Sequence, residues 1–206
     1  MTNCLFFGDS ITFGEYDGVF GGYVDYLKRF CYSEFYHHQA KEVNCFNLGI
    51  GGEITFGLLN RFDIETKARL SPEENLFFFF YGANDLAVNN GNELVSLQDF
   101  EKNLMQVIKK VKSYSENVYL ISILPISQKI DGVKVASGKL RSTEQISRYN
   151  ETLKKISTEL NLQYLDVFSI FNLQKEELIS KDGIHPNEKG YELIAENLKP
   201  ILSKYL

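Results

Sequence analysis

The chain has 206 residues, enough for one sizeable domain (1–206) and short for two. Its 44% hydrophobic and 24% charged residues are ordinary for a globular protein, and no run approaches the roughly 18 apolar residues of a membrane span. A net charge of −5 with interspersed signs argues against a nucleic-acid groove, and three scattered cysteines (Cys4, Cys31, Cys45) without a C-x-x-C pair argue against a disulfide framework.

The start, Met1-Thr2-Asn3-Cys4-Leu5, has neither a basic n-region nor a long apolar h-region, so the expected location is cytoplasmic. In chain order, apolar runs rich in Phe, Val, Ile, Leu and Tyr predict strands over Cys4–Phe7, Val43–Leu48, Leu76–Tyr81, Val118–Leu124 and Tyr164–Val167. The third is apolar at every position, the pattern of a strand covered on both faces. Helical periodicity predicts helices over Tyr23–Phe35, Leu97–Val111, Ser142–Leu160 and Asn187–Leu206, with Ser142 or Thr143 as an N-cap. Strands alternating with helices imply a parallel sheet with helices on both faces, an α/β domain of three layers. Ligands of such sheets bind beyond the carboxyl ends of the strands, so functional residues should follow strands.

Three segments meet that demand: Gly8-Asp9-Ser10 after the first strand, Asn47-Leu48-Gly49-Ile50-Gly51-Gly52 after the second and Gly82-Ala83-Asn84-Asp85 after the third; a fourth, Asp182-Gly183-Ile184-His185-Pro186, lies just before the last helix. A serine hydroxyl needs a base to become a nucleophile, and there are only three histidines. His37 and His38 end a surface helix with no chemistry around them. His185 stands three residues after Asp182, a spacing that in a turn lets the carboxylate reach Nδ1 and leave Nε2 to accept the Ser10 proton. Taken alone, that pair could equally be a helix cap beside a surface histidine. The glycine pair Gly51-Gly52, the Asn84 amide and the Ser10 N–H could converge on an oxyanion. Singly, the glycines read as a turn and Asn84-Asp85 as an Asx-turn.

Together and in this order, the four segments resemble the sequence blocks of the SGNH hydrolases, also called GDSL-like esterases and lipases, from Phe6 to Tyr191. The resemblance implies a three-layer α/β/α sandwich on a five-stranded parallel sheet, flavodoxin-like in its winding. It assigns Ser10 as nucleophile, His185 as base, Asp182 as its orienter, and Ser10, Gly52 and Asn84 as oxyanion donors. Asp9, Asn47 and Asp85 are read as supports that fix the site loops. The implied activity is acyl-ester hydrolysis of a small acylated substrate through an acyl-enzyme. Carbohydrate deacetylation, thioester hydrolysis, acetyl transfer and a non-catalytic binding module stand as alternatives. No metal or organic cofactor is expected. Gly49-x-Gly51 lacks the third glycine of a dinucleotide fingerprint, and Gly132–Leu140 misses the P-loop spacing. Two further segments are candidates for substrate contact: Glu15-Tyr16-Asp17-Gly18, and the polar stretch Ser127–Arg141, read as a long loop.

Overall fold

The computed structural model describes residues 1–206. Five parallel strands, β1 (Thr2–Gly8), β2 (Val43–Gly49), β3 (Glu74–Phe80), β6 (Val118–Ile121) and β7 (Gln163–Leu165), form one sheet in the order β2-β1-β3-β6-β7. The chain leaves β1 toward β2 on one side and returns to β3 on the other. The winding direction therefore reverses at β1, and a crevice opens between the carboxyl ends of β1 and β3. Gly8 pairs in register with both Gly49 and Phe80, so three strands end level at that crevice.

Helices cover both faces. On one lie α2 (Tyr23–His38) and α8 (Glu188–Leu202), with the short α6 (Val167–Asn172) and α7 (Lys175–Leu178). On the other lie α3 (Thr55–Lys67), α4 (Leu97–Val111) and α5 (Thr143–Glu159). The strands alternate between the two cores: Cys4, Phe6, Phe78 and Phe80 face the first, and Leu5, Phe7, Phe77 and Phe79 the second. That explains why the β3 run is apolar throughout. Across the sheet, Phe78 stacks on Phe6 at 4.4 Å and on Tyr119 at 4.6 Å, both at 12°. These offset stacks tie three strands together beyond their hydrogen bonds.

Several boundaries differ from the sequence expectation. β6 stops at Ile121 and β7 at Leu165, because Val167 already opens α6 under an Asp166 cap. Ser142 caps α5 and Asn187 caps α8, as the spacing predicts, although α8 ends at Leu202. The stretch Ser127–Arg141 is not a free loop. It folds back through bridges between Val88 and Leu140 and between Asp131 and Arg141, while Asp131 binds the N–H and hydroxyl of Thr143. A small hairpin, β4 (Val88–Asn89) and β5 (Asn92–Glu93), packs beside it.

Candidate active site

Ser10 begins a four-residue helix, α1 (Ser10–Phe13), immediately beyond β1. This sharp strand-to-helix turn needs a glycine at position 8, where a Cβ would fall 2.0 Å from Thr12 Oγ1 and 2.9 Å from the Phe80 carbonyl. Asp9 caps the helix by accepting the Ile11 N–H at 3.0 Å. As the first helical residue, Ser10 has no intrahelical acceptor for its own N–H.

The Ser10 hydroxyl lies 2.7 Å from His185 Nε2, and His185 Nδ1 lies 2.5 Å from Asp182 Oδ2. The other carboxylate oxygen, Oδ1, accepts the N–H groups of Ile184 and His185 at 3.0 Å and the Ser180 hydroxyl at 2.7 Å. Burial alone would push the Asp182 carboxyl up. The bonds from His185, Ile184 and Ser180 outweigh it and hold Asp182 well below the usual carboxylate range. A fixed anion at Nδ1 keeps the proton on that nitrogen, so Nε2 faces Ser10 as an acceptor and the imidazolium it would form is stabilised.

Beyond β2, the Gly49 N–H is held by the Asn47 side chain at 3.0 Å, and Asn47 Nδ2 donates to the Phe13 carbonyl at 3.3 Å. The chain then turns through Ile50–Glu53. Gly52 has a φ of +73° with open space around it, so its backbone conformation, rather than crowding, calls for glycine. Its N–H donates to no protein acceptor. Glu53 anchors the turn. Its carboxylate receives two bonds from Arg61 Nε and one from Nη2 at 2.6 Å, plus the Tyr81 hydroxyl at 2.6 Å, and Arg61 also reaches the Leu48 carbonyl.

Asn84 follows β3 and is buried. Its Nδ2 donates to Asp9 Oδ2 at 3.3 Å and to the Glu53 carbonyl at 3.2 Å. Arg141 Nη2 donates to Asn84 Oδ1 at 3.1 Å, and Arg141 Nε to the Ala83 carbonyl at 2.6 Å. An arginine can only donate, so this contact fixes which end of the amide is the oxygen. Asn84 thus points its N–H₂ toward Asp9, beside Ser10. The neighbouring Asp85 accepts the Thr55 N–H and hydroxyl, tying the end of β3 to the start of α3. Burial pushes Asp9 up to about 7 against the opposing Ile11 bond, and Asp85 up to about 6 against its Thr55 bonds. Burial likewise lowers Arg141, with Asp9 and Asp182 opposing.

The structure therefore joins Ser10, His185 and Asp182 in one hydrogen-bonded chain and Asn84 and Asp9 in a second pair, the two adjoining through the Asp9–Ser10 peptide. Asp85 and Asn47 sit behind them. His37 and His38 stay exposed in the last turn of α2. Two groups were invisible to sequence reasoning: buried Arg141, which reads as one more charge in a polar stretch, and the Glu53–Arg61–Tyr81 cluster. The Glu15-Tyr16 segment does arrive at the site. The Tyr16 ring stacks on His185 at 5.0 Å, and Glu15 Oε2 lies 3.7 Å from His185 Nε2. No three His, Cys, Asp or Glu side chains are grouped as metal ligands, and no helix is long and apolar enough to cross a membrane.

Known proteins resemble this chain to differing extents. The profile of the GDSL-like Lipase/Acylhydrolase family matches residues 6–193. The solved lipase/acylhydrolase of Enterococcus faecalis superposes with a TM-score of 0.78 at 26% identity, over 99% of this chain and 96% of that one. The isoamyl acetate-hydrolyzing esterase of Saccharomyces cerevisiae is 25% identical over 66% of this chain, and the spore germination lipase LipC of Bacillus licheniformis 24% over 47%. The matches span 60% and 42% of those two curated relatives' own lengths.

Proposed function

The chain belongs to the GDSL-like Lipase/Acylhydrolase family, and on that premise we propose that it hydrolyses carboxylic esters through a Ser10–His185–Asp182 triad. The observation that carries this reading is the continuous chain of hydrogen bonds from Ser10 Oγ through both nitrogens of His185 to Asp182.

Ser10 Oγ attacks the ester carbonyl carbon as its proton passes to His185 Nε2. Negative charge moves to the carbonyl oxygen, which the N–H groups of Ser10 and Gly52 receive, joined by the Asn84 amide as it gives up its 3.3 Å bond to Asp9. Collapse breaks the bond to the alcohol oxygen, which takes the Nε2 proton and leaves. Water then gives a proton to Nε2, its oxygen attacks the acyl-serine, and collapse returns the proton to Ser10 Oγ with release of the acid. Thioesters, sugar acetates and transfer to an alcohol would use the same serine, differing in leaving group or acceptor.

One further feature bears on the acyl group. Ile11, Ala83 and Ile184, each next in sequence to a site residue, line an apolar niche of only about 10 Å³ with Leu86 and Ile146. Such a space holds about one water molecule, which favours short acyl chains. The test is turnover of acetate, butyrate and octanoate esters of one alcohol, with Ser10→Ala as blank. Wild-type protein should favour acetate and label with a fluorophosphonate, and Ser10→Ala should lose both activity and label. Equal turnover by Ser10→Ala would refute the assignment.

A further inference from the structure

The segment between α1 and α2 is built as a rigid arm over the site. Asp17 accepts the N–H groups of Val19, Phe20 and Gly22 at 2.9–3.1 Å, closing the arm at its far end. At the near end, the Glu15 N–H donates to the Ser10 carbonyl at 3.0 Å, and Tyr191 donates its hydroxyl to the Glu15 carbonyl at 2.7 Å. Tyr16 is held at a φ of +71°, a conformation a tyrosine rarely adopts, and its ring lies flat on His185.

What the arm delivers is the Glu15 carboxylate. One oxygen stands 3.7 Å from His185 Nε2, and the other faces Gly51, at 2.5 Å from where a Cβ there would lie. The carboxylate accepts no hydrogen bond from any donor of the chain, and the side chain is 39% exposed. It bridges from the base to the oxyanion turn, on the side where Nε2 hands its proton to the departing alcohol. An alcohol oxygen bonded to Nε2 therefore sits within reach of a second hydroxyl's contact to Glu15.

We propose that Glu15 reads the alcohol half of the ester: the site takes monoacylated polyols, whose free hydroxyl beside the ester oxygen donates to Glu15, and discriminates against alcohols that carry an anion there. This rests on the serine-hydrolase reading above. A neutral hydroxyl can donate a directed hydrogen bond to the carboxylate, which a quaternary cation, having no N–H, cannot. A hydrogen bond to a charged acceptor is worth roughly a tenfold to hundredfold preference. A second carboxylate in that position would be repelled by roughly tenfold or more.

The experiment compares kcat/KM for five acetates: propyl acetate, glycerol 1-monoacetate, a methyl pentopyranoside monoacetate, acetoxyacetate and acetylcholine. Wild type, Glu15→Gln, Glu15→Ala and Ser10→Ala are each assayed. Wild type should prefer the glycerol or the pentoside ester to propyl acetate by tenfold or more, and whichever leads identifies the polyol as acyclic or cyclic. In Glu15→Ala that ratio should fall toward one while acetoxyacetate gains on propyl acetate, with Glu15→Gln in between. Ratios are read so that a uniform loss cancels. No polyol preference in wild type overturns the proposal, as does a preference that survives Glu15→Ala, which would make Glu15 only a neighbour of His185. A Glu15-dependent preference for acetylcholine also overturns it, in favour of charge pairing. Failure to turn over any ester, or full activity in Ser10→Ala, defeats the hydrolase reading itself and is distinct from these results.

Discussion

Replacing Arg141 with Met should slow ester hydrolysis by about 10–100-fold through a residue that touches neither nucleophile nor base. Methionine keeps much of the buried volume but removes the donors to Ala83 O and Asn84 Oδ1. Each hydrogen bond from a charged donor contributes about 1.5–3 kcal/mol. The upper limit on the rate effect is the whole contribution of an oxyanion donor, roughly 10²–10³ in kcat. Asp9 is a poor substitute orienter. With its carboxyl pushed up to about 7, it is protonated in a large share of molecules near neutrality, and a protonated carboxyl tolerates the flipped amide by donating to it. Arg141 accepts from nothing at any accessible pH. The effect should therefore fall on kcat with KM little changed. The assay is a double-mutant cycle in which Asn84→Ala, Arg141→Met and the double variant are compared at saturating ester. If Arg141 acts through Asn84, the double variant is about as slow as Asn84→Ala alone. Losses that multiply would refute the reasoning and make Arg141 a general support of the fold.

Asp182→Asn should lower kcat by roughly 10⁴, because an amide can present its N–H₂ to Nδ1 and leave Nε2 protonated; steady-state kinetics checks this. Arg61→Met leaves Glu53 buried and unpaired, which should cost about 3–5 kcal/mol, read as a lower urea midpoint. Replacing both partners by apolar residues should recover much of that loss. Asp9 makes stability depend on pH. Its folded-state value lies near 7 against 3.8 unfolded, so the folded protein binds that proton more tightly. Its contribution is complete below about pH 4 and is lost as pH rises to about 7, whereas Asp182, held low, acts in the opposite sense below pH 4. Melting temperatures should thus climb as pH falls from 8 to 5, and Asp9→Asn should flatten that climb.

The three layers were legible because each main strand is a short run of large apolar side chains bounded by turn residues, and alternation with helices admits few windings. Helix α3 escaped notice. Its buried face is only Thr55, Leu58, Phe62 and Thr66, two of them polar, so no apolar stripe announces it. The Ser10 and Asn84 segments stood out because strand ends concentrate chemistry in such sheets, and the Asp182-to-His185 segment because its three-residue spacing suits a carboxylate–imidazole pair. Arg141 did not, since its burial is decided by carbonyls 57 and 58 residues away in sequence. Glu53 and Arg61 are eight residues apart across a turn and a helix start, a separation without a periodic signature.

The bond between Ser10 and His185 spans 175 positions. Four strands of the sheet lie between the two residues along the chain. Closing so long a loop is slow and must await α8, whose Tyr191 also locks the Glu15 arm. On the serine-hydrolase reading, Ser10 stays without its base until that closure. Turnover would then report that the two ends of this long loop have met, and acyl chemistry would stay silent until they do.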